Sequence, residues 1–353
     1  MHAAAARGRV RAILAVVCLV AALGACSQSG EPRHEVSLLP SATANAQSWD
    51  WTARCPIGPQ GPAGCATAGP ELGASQLAGN EWNLGSGAAT GESVTMSVNA
   101  AGALKVGANL TSAPPCTAAN CLATQANTWV RGFPSVLYGI DQCHATTSPG
   151  QSPELPLPQP VDAIASDLTG RSSYDAQGGQ VTYDVAYDLW LSASDTRTPC
   201  QTDGTIEVMV WTDYNAQALL PAALKVATAT IPLDVNGVST DRTWSVYASN
   251  VYRAGHTAPW GGTVWLVPDP ADATQQGTVT VDLSAALAAA GKLLEHNYGW
   301  ASFSHNYWLD TVAFGMEYGP QDADPYGDGP ANFSLDISSY CLALRTTVGK
   351  ATC

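Results

Sequence analysis

Thr205-Ile-Glu-Val-Met-Val-Trp211 is the stretch on which the reading of this chain turns. With a period of two, Ile206, Val208 and Val210 face one side of an extended strand, and Glu207, Met209 and Trp211 face the other. The first side has the composition of a core. The second sets a carboxylate beside a thioether and an indole, which reads as the floor of a cleft. Similar alternation recurs outward in both directions, at residues 93–98, 128–131, 181–191, 263–267, 278–282, 309–318 and 332–337, with Gly, Pro and Asn between the runs. This punctuation predicts an all-β chain, an antiparallel sandwich or jelly roll. One short helix is predicted over 283–294, where Ser284-Ala-Ala-Leu-Ala-Ala-Ala combines good helix formers.

Composition narrows the function classes. Of 353 residues 46% are hydrophobic, enough to bury a core and to exclude a disordered chain. Twenty-nine acidic against 15 basic side chains give a net charge of -14. No basic stripe could follow a phosphate backbone, so nucleic acid is excluded as a partner. Eleven Trp and 12 Tyr against 4 Phe favour exposed aromatic platforms.

The N-terminus reads as an address. Arg7, Arg9 and Arg11 precede an apolar run from Ala12 to Ala22, the charged and apolar regions of an export signal. Leu23-Gly24-Ala25-Cys26 resembles a bacterial lipobox, which implies a diacylglyceryl anchor on Cys26 after cleavage. The alternative is a plain secretory signal and a secreted product. The domain reading is therefore 1–25 signal, 26–48 polar tether and 49–353 a single body, with the Pro-rich run 148–160 a connection inside it. Eight further cysteines in an exported chain suggest disulfides. Cys55–Cys65, Cys116–Cys121 and Cys341–Cys353 are plausible local closures that leave Cys143 for Cys200, one connectivity among many.

Two other runs place acids on strand faces. In 183–189, Asp184 and Asp188 share one face, opposite Tyr183, Val185, Tyr187 and Leu189. In 312–317, Ala313, Gly315 and Glu317 oppose Val312, Phe314 and Met316, and the small neighbours of Glu317 read as room for a ligand. Acids on strands in a Trp-rich exported chain suggest carbohydrate chemistry. Retaining glycosidases use two carboxyls about 5–5.5 Å apart, one a nucleophile and one a general acid.

These residues resemble glycoside hydrolase family 12, the small β-jelly-roll endoglucanases and xyloglucanases. Glu207-Val-Met-Val-Trp211 is similar to that family's nucleophile strand, and Phe314-Gly-Met-Glu317 to its acid/base segment. Asn80-Glu-Trp82, Val130-Arg-Gly-Phe-Pro-Ser-Val136 and Tyr187-Asp188-Leu189 match three further motifs in the same order, within a similarity running from about Gly79 to Leu344. The resemblance implies a jelly roll of two antiparallel sheets with a substrate cleft on its concave face. It makes Glu207 the nucleophile, Glu317 the acid/base and Asp188 the neighbour holding Glu207. Asn80, Trp82, Met209 and Trp211 become sugar-binding residues, and a monomer acting on a β-1,4-glucan without metal or organic cofactor is expected. Met316 and Tyr318-Gly319 depart from the family pattern, and additions near 49–78 and 244–263 put the cleft shape in doubt. A glycosidase for a cell-envelope polysaccharide and a non-catalytic carbohydrate-binding lipoprotein remain as alternatives.

Other features read as bland. His296 and His305 lack metal-ligand spacing, and Asp322, Asp324 and Asp328 lack the Glu that ends an EF-hand loop. Residues 58–64 hold two collagen-like triplets and no more. Trp49, Trp51, Trp260 and Trp265 could extend a sugar platform or fill the core.

Overall fold

The structure, a computed structural model, describes residues 33–39, 47–50, 71–72, 74–79, 84, 93–115, 129–141, 146–147, 151–152, 155–164, 168–193, 205–215, 220, 224–249, 251, 262–300, 303–324 and 326–345. Nine strands come first: β1 (Arg33–Ser37), β2 (Gln47–Asp50), β3 (Glu71–Leu72), β4 (Ser75–Ala78), β5 (Ser93–Val98), β6 (Leu104–Leu110), β7 (Ser135–Asp141), β8 (Thr146–Thr147) and β9 (Gln159–Pro160). After the single turn α1 (Val161–Ile164) come β10 (Leu168–Gly178), β11 (Thr182–Ser192), β12 (Ile206–Tyr214) and β13 (Lys225–Val235). β14 (Val238–Ser249), β15 (Thr263–Pro268) and β16 (Gln276–Asp282) lead into α2 (Leu283–Tyr298). A second single turn, α3 (Phe303–Asn306), precedes β17 (Trp308–Gly319) and β18 (Ala331–Arg345).

The fold is a β-jelly roll. One layer runs β3–β4–β7–β17–β11–β12–β15–β14, and the other β2–β5–β6–β18–β10–β16 with β1 also on β18. β13 pairs with β14 and with β16, so that hairpin stitches the layers into one hydrogen-bonded network. These pairings are antiparallel except β12–β15, which is parallel and so departs from an all-antiparallel expectation.

The alternation read from sequence is the alternation of the layers. Ile206, Val208, Val210, Val185, Tyr187, Leu189, Val312, Phe314 and Met316 are all fully buried between them. Behind the site strands, the Phe314 ring lies tilted at 4.8 Å from Tyr187 and 5.4 Å from Tyr340. Tyr174 lies 5.6 Å from Phe314 and donates its hydroxyl to Thr212 Oγ1 at 2.8 Å. β11 and β17 are thereby held against β10 and β18.

The helix is longer than predicted. It begins at Leu283, where the Asp282 carboxylate accepts the Ala285 N–H, and continues to Tyr298, where Gly299 takes the left-handed conformation (φ 74°). Leu283, Ala286, Leu287, Ala290, Leu293 and Leu294 form its buried stripe. The two single-turn helices are additional to it. Residues 33–37, read as tether, form β1 against β18, with Val36, Leu38 and Leu39 in the core. Residues 129–131, read as part of a strand, lie outside any strand. They run beside β17, with Arg131 N donating to Tyr318 O at 2.7 Å.

Candidate active site

Three neighbouring strands carry the site on the face turned away from the main core. β11 lies between β12 and β17 and presents Asp184, Ala186, Asp188 and Trp190. Glu207 is in register with Trp190, Met209 with Asp188, and Glu317 with Asp184. Glu207 and Glu317 therefore sit diagonally across β11. On the far side of β12, Thr263 and Trp265 of β15 stand beside Glu207 and Met209.

A bulge makes this face possible. Val185 pairs with Asp213 and Ala186 with Trp211, so Thr212 is an extra residue on β12. Without the shift, every side chain beyond it would change face. Thr212 turns inward to Tyr174 and to the Val185 carbonyl, while Asp213 accepts the Tyr183 hydroxyl at 2.8 Å.

The carboxyls form two pairs. Asp188 and Glu207 approach within hydrogen-bonding reach, as do Asp184 and Glu317. Asp184 (0% exposed) and Asp188 (4%) are buried, whereas Glu207 and Glu317 are partly open. The pairs differ in their donors. Thr263 Oγ1 donates to Glu207 Oε2 at 2.6 Å, and Trp190 Nε1 donates to Asp188 Oδ2 at 2.9 Å. Among the described residues no donor reaches either oxygen of Asp184.

Burial raises all four groups. Glu207 is pushed up to about 7 by desolvation, against the opposing pull of its bonds from Thr263 and Asp188. Glu317 is held well above the usual carboxylate range by desolvation first, then by the charges of Asp184 and Glu207. Asp184 and Asp188 are likewise raised, chiefly by desolvation. The sequence anticipated the upward push on Glu317 and missed its main neighbour, Asp184.

Glu207, Glu317 and Asp188 thus lie on one face of three neighbouring strands. Met209 packs with Ala186, Trp211, Tyr247 and Val267 in a cluster on this face. Trp211 is only 1% exposed and tilts against Tyr214 at 5.5 Å, so it supports the floor and offers no open stacking surface. Half-buried Trp190 and Trp265 are placed to do that instead. Nothing but alternation marked Trp190 and Thr263, and Trp265 was left undecided between platform and core. Asn80, Trp82 and Cys26 lie outside the described residues, as do Trp51 and Trp260.

The small residues beside Glu317 serve packing, not a ligand. A Cβ on Gly315 would stand 2.4 Å from the Pro134 carbonyl oxygen and 2.6 Å from Ser135 Cβ, and Ala313 packs with Phe133 and Leu137. The acidic loop after β17 is organised by Arg131. Its fully buried guanidinium donates to the carbonyls of Ala113 (2.8 Å), Trp129 (3.0 Å), Asp324 (3.3 Å) and Gly327 (2.9 Å). Asp322 and Asp324 accept backbone N–H groups within the loop. Among the described residues no group of His, Cys, Asp and Glu is arranged to hold a metal. His305 pairs with Asp162 at the surface, and Cys341 is buried and disulfide-bonded, with its expected partner Cys353 outside the described residues.

The model of the family described as "Glycosyl hydrolase family 12" matches residues 103–265, a span that contains Asp188 and Glu207 and ends before Glu317. That span, rather less than half of the 353 residues, is similar to the family, and the match supports a glycoside hydrolase. Two solved structures of a family 12 xyloglucanase from Bacillus licheniformis share the chain's fold. One, with ligand, has 16% identity and a TM-score of 0.52, over 85% of this chain and 99% of that one. The other, native, has 17% identity and a TM-score of 0.51, over 79% and 97%. A search of curated protein sequences gives no match. The Glu317 strand lies beyond the matched span, and the pairing of β17 with β11 joins it to the site.

Proposed function

We propose that this glycoside hydrolase cleaves internal β-1,4-glucosidic bonds of a glucan with retention of configuration. Cellulose, mixed-linkage glucan and xyloglucan all fit that description. The observation that carries the reading is the unequal supply of donors to the two carboxyl pairs. Thr263 and Trp190 stabilise negative charge on the Glu207–Asp188 side. The donor-poor side favours a protonated Glu317. A nucleophile must be ionised and a general acid protonated, so the asymmetry supports Glu207 as the nucleophile and Glu317 as the acid.

In the first step a Glu207 oxygen attacks the anomeric carbon, the glycosidic C–O bond breaks and the Glu317 proton passes to the leaving oxygen. In the second, water attacks the same carbon, Glu317 takes its proton and the bond to Glu207 breaks. Asp188 acts through Glu207, holding its carboxyl in place. Trp190 and Trp265 offer aromatic faces to the pyranose rings.

Reducing-sugar release from soluble β-glucans, with Glu207→Gln and Glu317→Gln alongside, tests the activity, and the anomer first formed, read by NMR, tests retention. Activity lost in both variants with a β-anomer first supports the reading. An α-anomer would overturn retention, and a folded wild type that releases nothing from any β-1,4-glucan would overturn the substrate. The export signal and Cys26 support attachment to the outer side of a bacterial membrane. Cys26→Ala should then release the enzyme from the membrane fraction.

A further inference from the structure

Asp184 shares a strand face with Asp188 in the sequence but has no role in the motifs of the family resemblance, and it faces Glu317 directly across the β11–β17 pairing. Both of its oxygens are buried, and among the described residues neither receives a bond from a backbone N–H, an amide, a cation or a hydroxyl. The group within hydrogen-bonding reach is the Glu317 carboxyl. Two carboxyls can bond only when one of them keeps a proton. A bare carboxylate pair at this spot would place two like charges in a dry pocket with no donor to offset them.

We propose that Asp184 and Glu317 hold one proton between them, and that Asp184 is the positioning residue that keeps this proton on the acid/base until a leaving oxygen takes it. The inference rests on the glycosidase reading and extends it to a residue for which that reading has no use. Once the proton is transferred, the doubly charged pair is a stronger base, which suits the removal of a proton from water in the second step.

The surroundings act in the same direction. Asp188 lies on the same strand and Glu207 faces the pair from β12, while Asp213, on the opposite face of β12 beside Tyr183, adds a third acid at longer range. Tyr214, opposite Asp184 on β12, spends its hydroxyl on the Pro268 carbonyl. Arg131, the cation on the segment flanking β17, is committed to four backbone carbonyls.

Asp184→Asn tests the proposal through the pH dependence of kcat/KM on a neutral soluble β-glucan. Loss of the neighbouring charge should move the alkaline limb down by about one pH unit or more, leaving the acid limb in place. A folded Asp184→Asn enzyme with the wild-type alkaline limb would overturn it. A purely structural role would lower the rate without moving the limb.

Infrared spectroscopy gives a readout that needs no turnover and no folded Asp184 variant. Wild type at neutral pH should show the broadened, lowered C=O band of a carboxylic acid bonded to a carboxylate, and Glu317→Gln should lose part of it, the remainder belonging to the Asp188–Glu207 pair. A band of undiminished intensity in Glu317→Gln, or the sharp band of an unbonded acid in wild type that Glu317→Gln removes, would overturn the shared proton. An inactive wild type that still shows the shared-proton band would refute the substrate reading and leave the pair intact.

Discussion

Four carboxyl groups on one face are distinguished by what donates to them. Each is raised by burial, so the folded protein binds more protons than the unfolded chain, whose carboxyls titrate near pH 4. Stability contributed by the protonated groups is fully present below that value and is lost as pH rises through the folded values, about 7 for Glu207. Denaturant unfolding should therefore give a less stable wild type at about pH 8 than at about pH 5. Glu317→Gln, which removes one of the groups, should show a shallower decline, and an equal slope in both would refute this account. Thr263→Val addresses the nucleophile side. Its 2.6 Å bond favours ionised Glu207, so the variant's acid limb should move to higher pH while the alkaline limb stays. A bond to a charged group contributes about 1.5–3 kcal/mol, so kcat/KM near pH 6 should fall roughly ten- to a hundredfold.

Two elements hold the acid/base strand in place: the segment over residues 129–135 and the loop after β17. Both were only partly legible in the sequence. The run 128–131 alternates like a strand, but its function is to carry Arg131 under a loop almost two hundred residues away. The acids of 322–328 resemble ion ligands in sequence, and the structure uses Asp322 and Asp324 to cap loop N–H groups around a side-chain cation. Arg131→Met should cost about 3 kcal/mol or more in denaturant unfolding, because several carbonyls lose a charged donor at once. Added calcium should not restore it. Likewise Gly315→Ala drives a methyl into the Pro134 carbonyl, and a loss of about 1–3 kcal/mol is expected in the same assay. Full stability in that variant would show that residues 132–135 yield easily. The β13–β14 hairpin went unread although Asn236-Gly237, with φ of 54° and 85°, is a strong turn signal. Its strands carry Thr, Ala, Asp and Ser on both faces, which blurs the alternation.

At the scale of the whole molecule, the hairpin stitches two layers whose shared core lies directly behind the catalytic strands. Tyr187 and Phe314 alternate along β11 and β17 with the residues of the site, so core packing and site geometry are coupled. The net charge of -14 acts at longer range. An anionic polymer is repelled and a neutral one is not. Raising salt from about 10 to about 200 mM should increase kcat/KM on carboxymethylcellulose and leave that on a neutral β-glucan nearly unchanged. Equal salt responses on the two polymers would mean that the field does not reach the site.

Alternation with a period of two is local, which is why the sequence alone determined the all-β class, the core faces of β11, β12 and β17, and the face that carries Glu207, Asp188 and Glu317. Partnership across strands is not local. It depends on register, and register here turns on one extra residue at Thr212 and on a parallel pairing of β12 with β15. Only the tertiary structure could therefore bring Thr263 to Glu207 across 56 residues, set Asp184 against Glu317, bury Trp211 and fill the space beside Gly315 with backbone. The carboxyls were legible because strand geometry exposes them. Their donors were not, because a donor's identity is decided by which chain segment lies alongside.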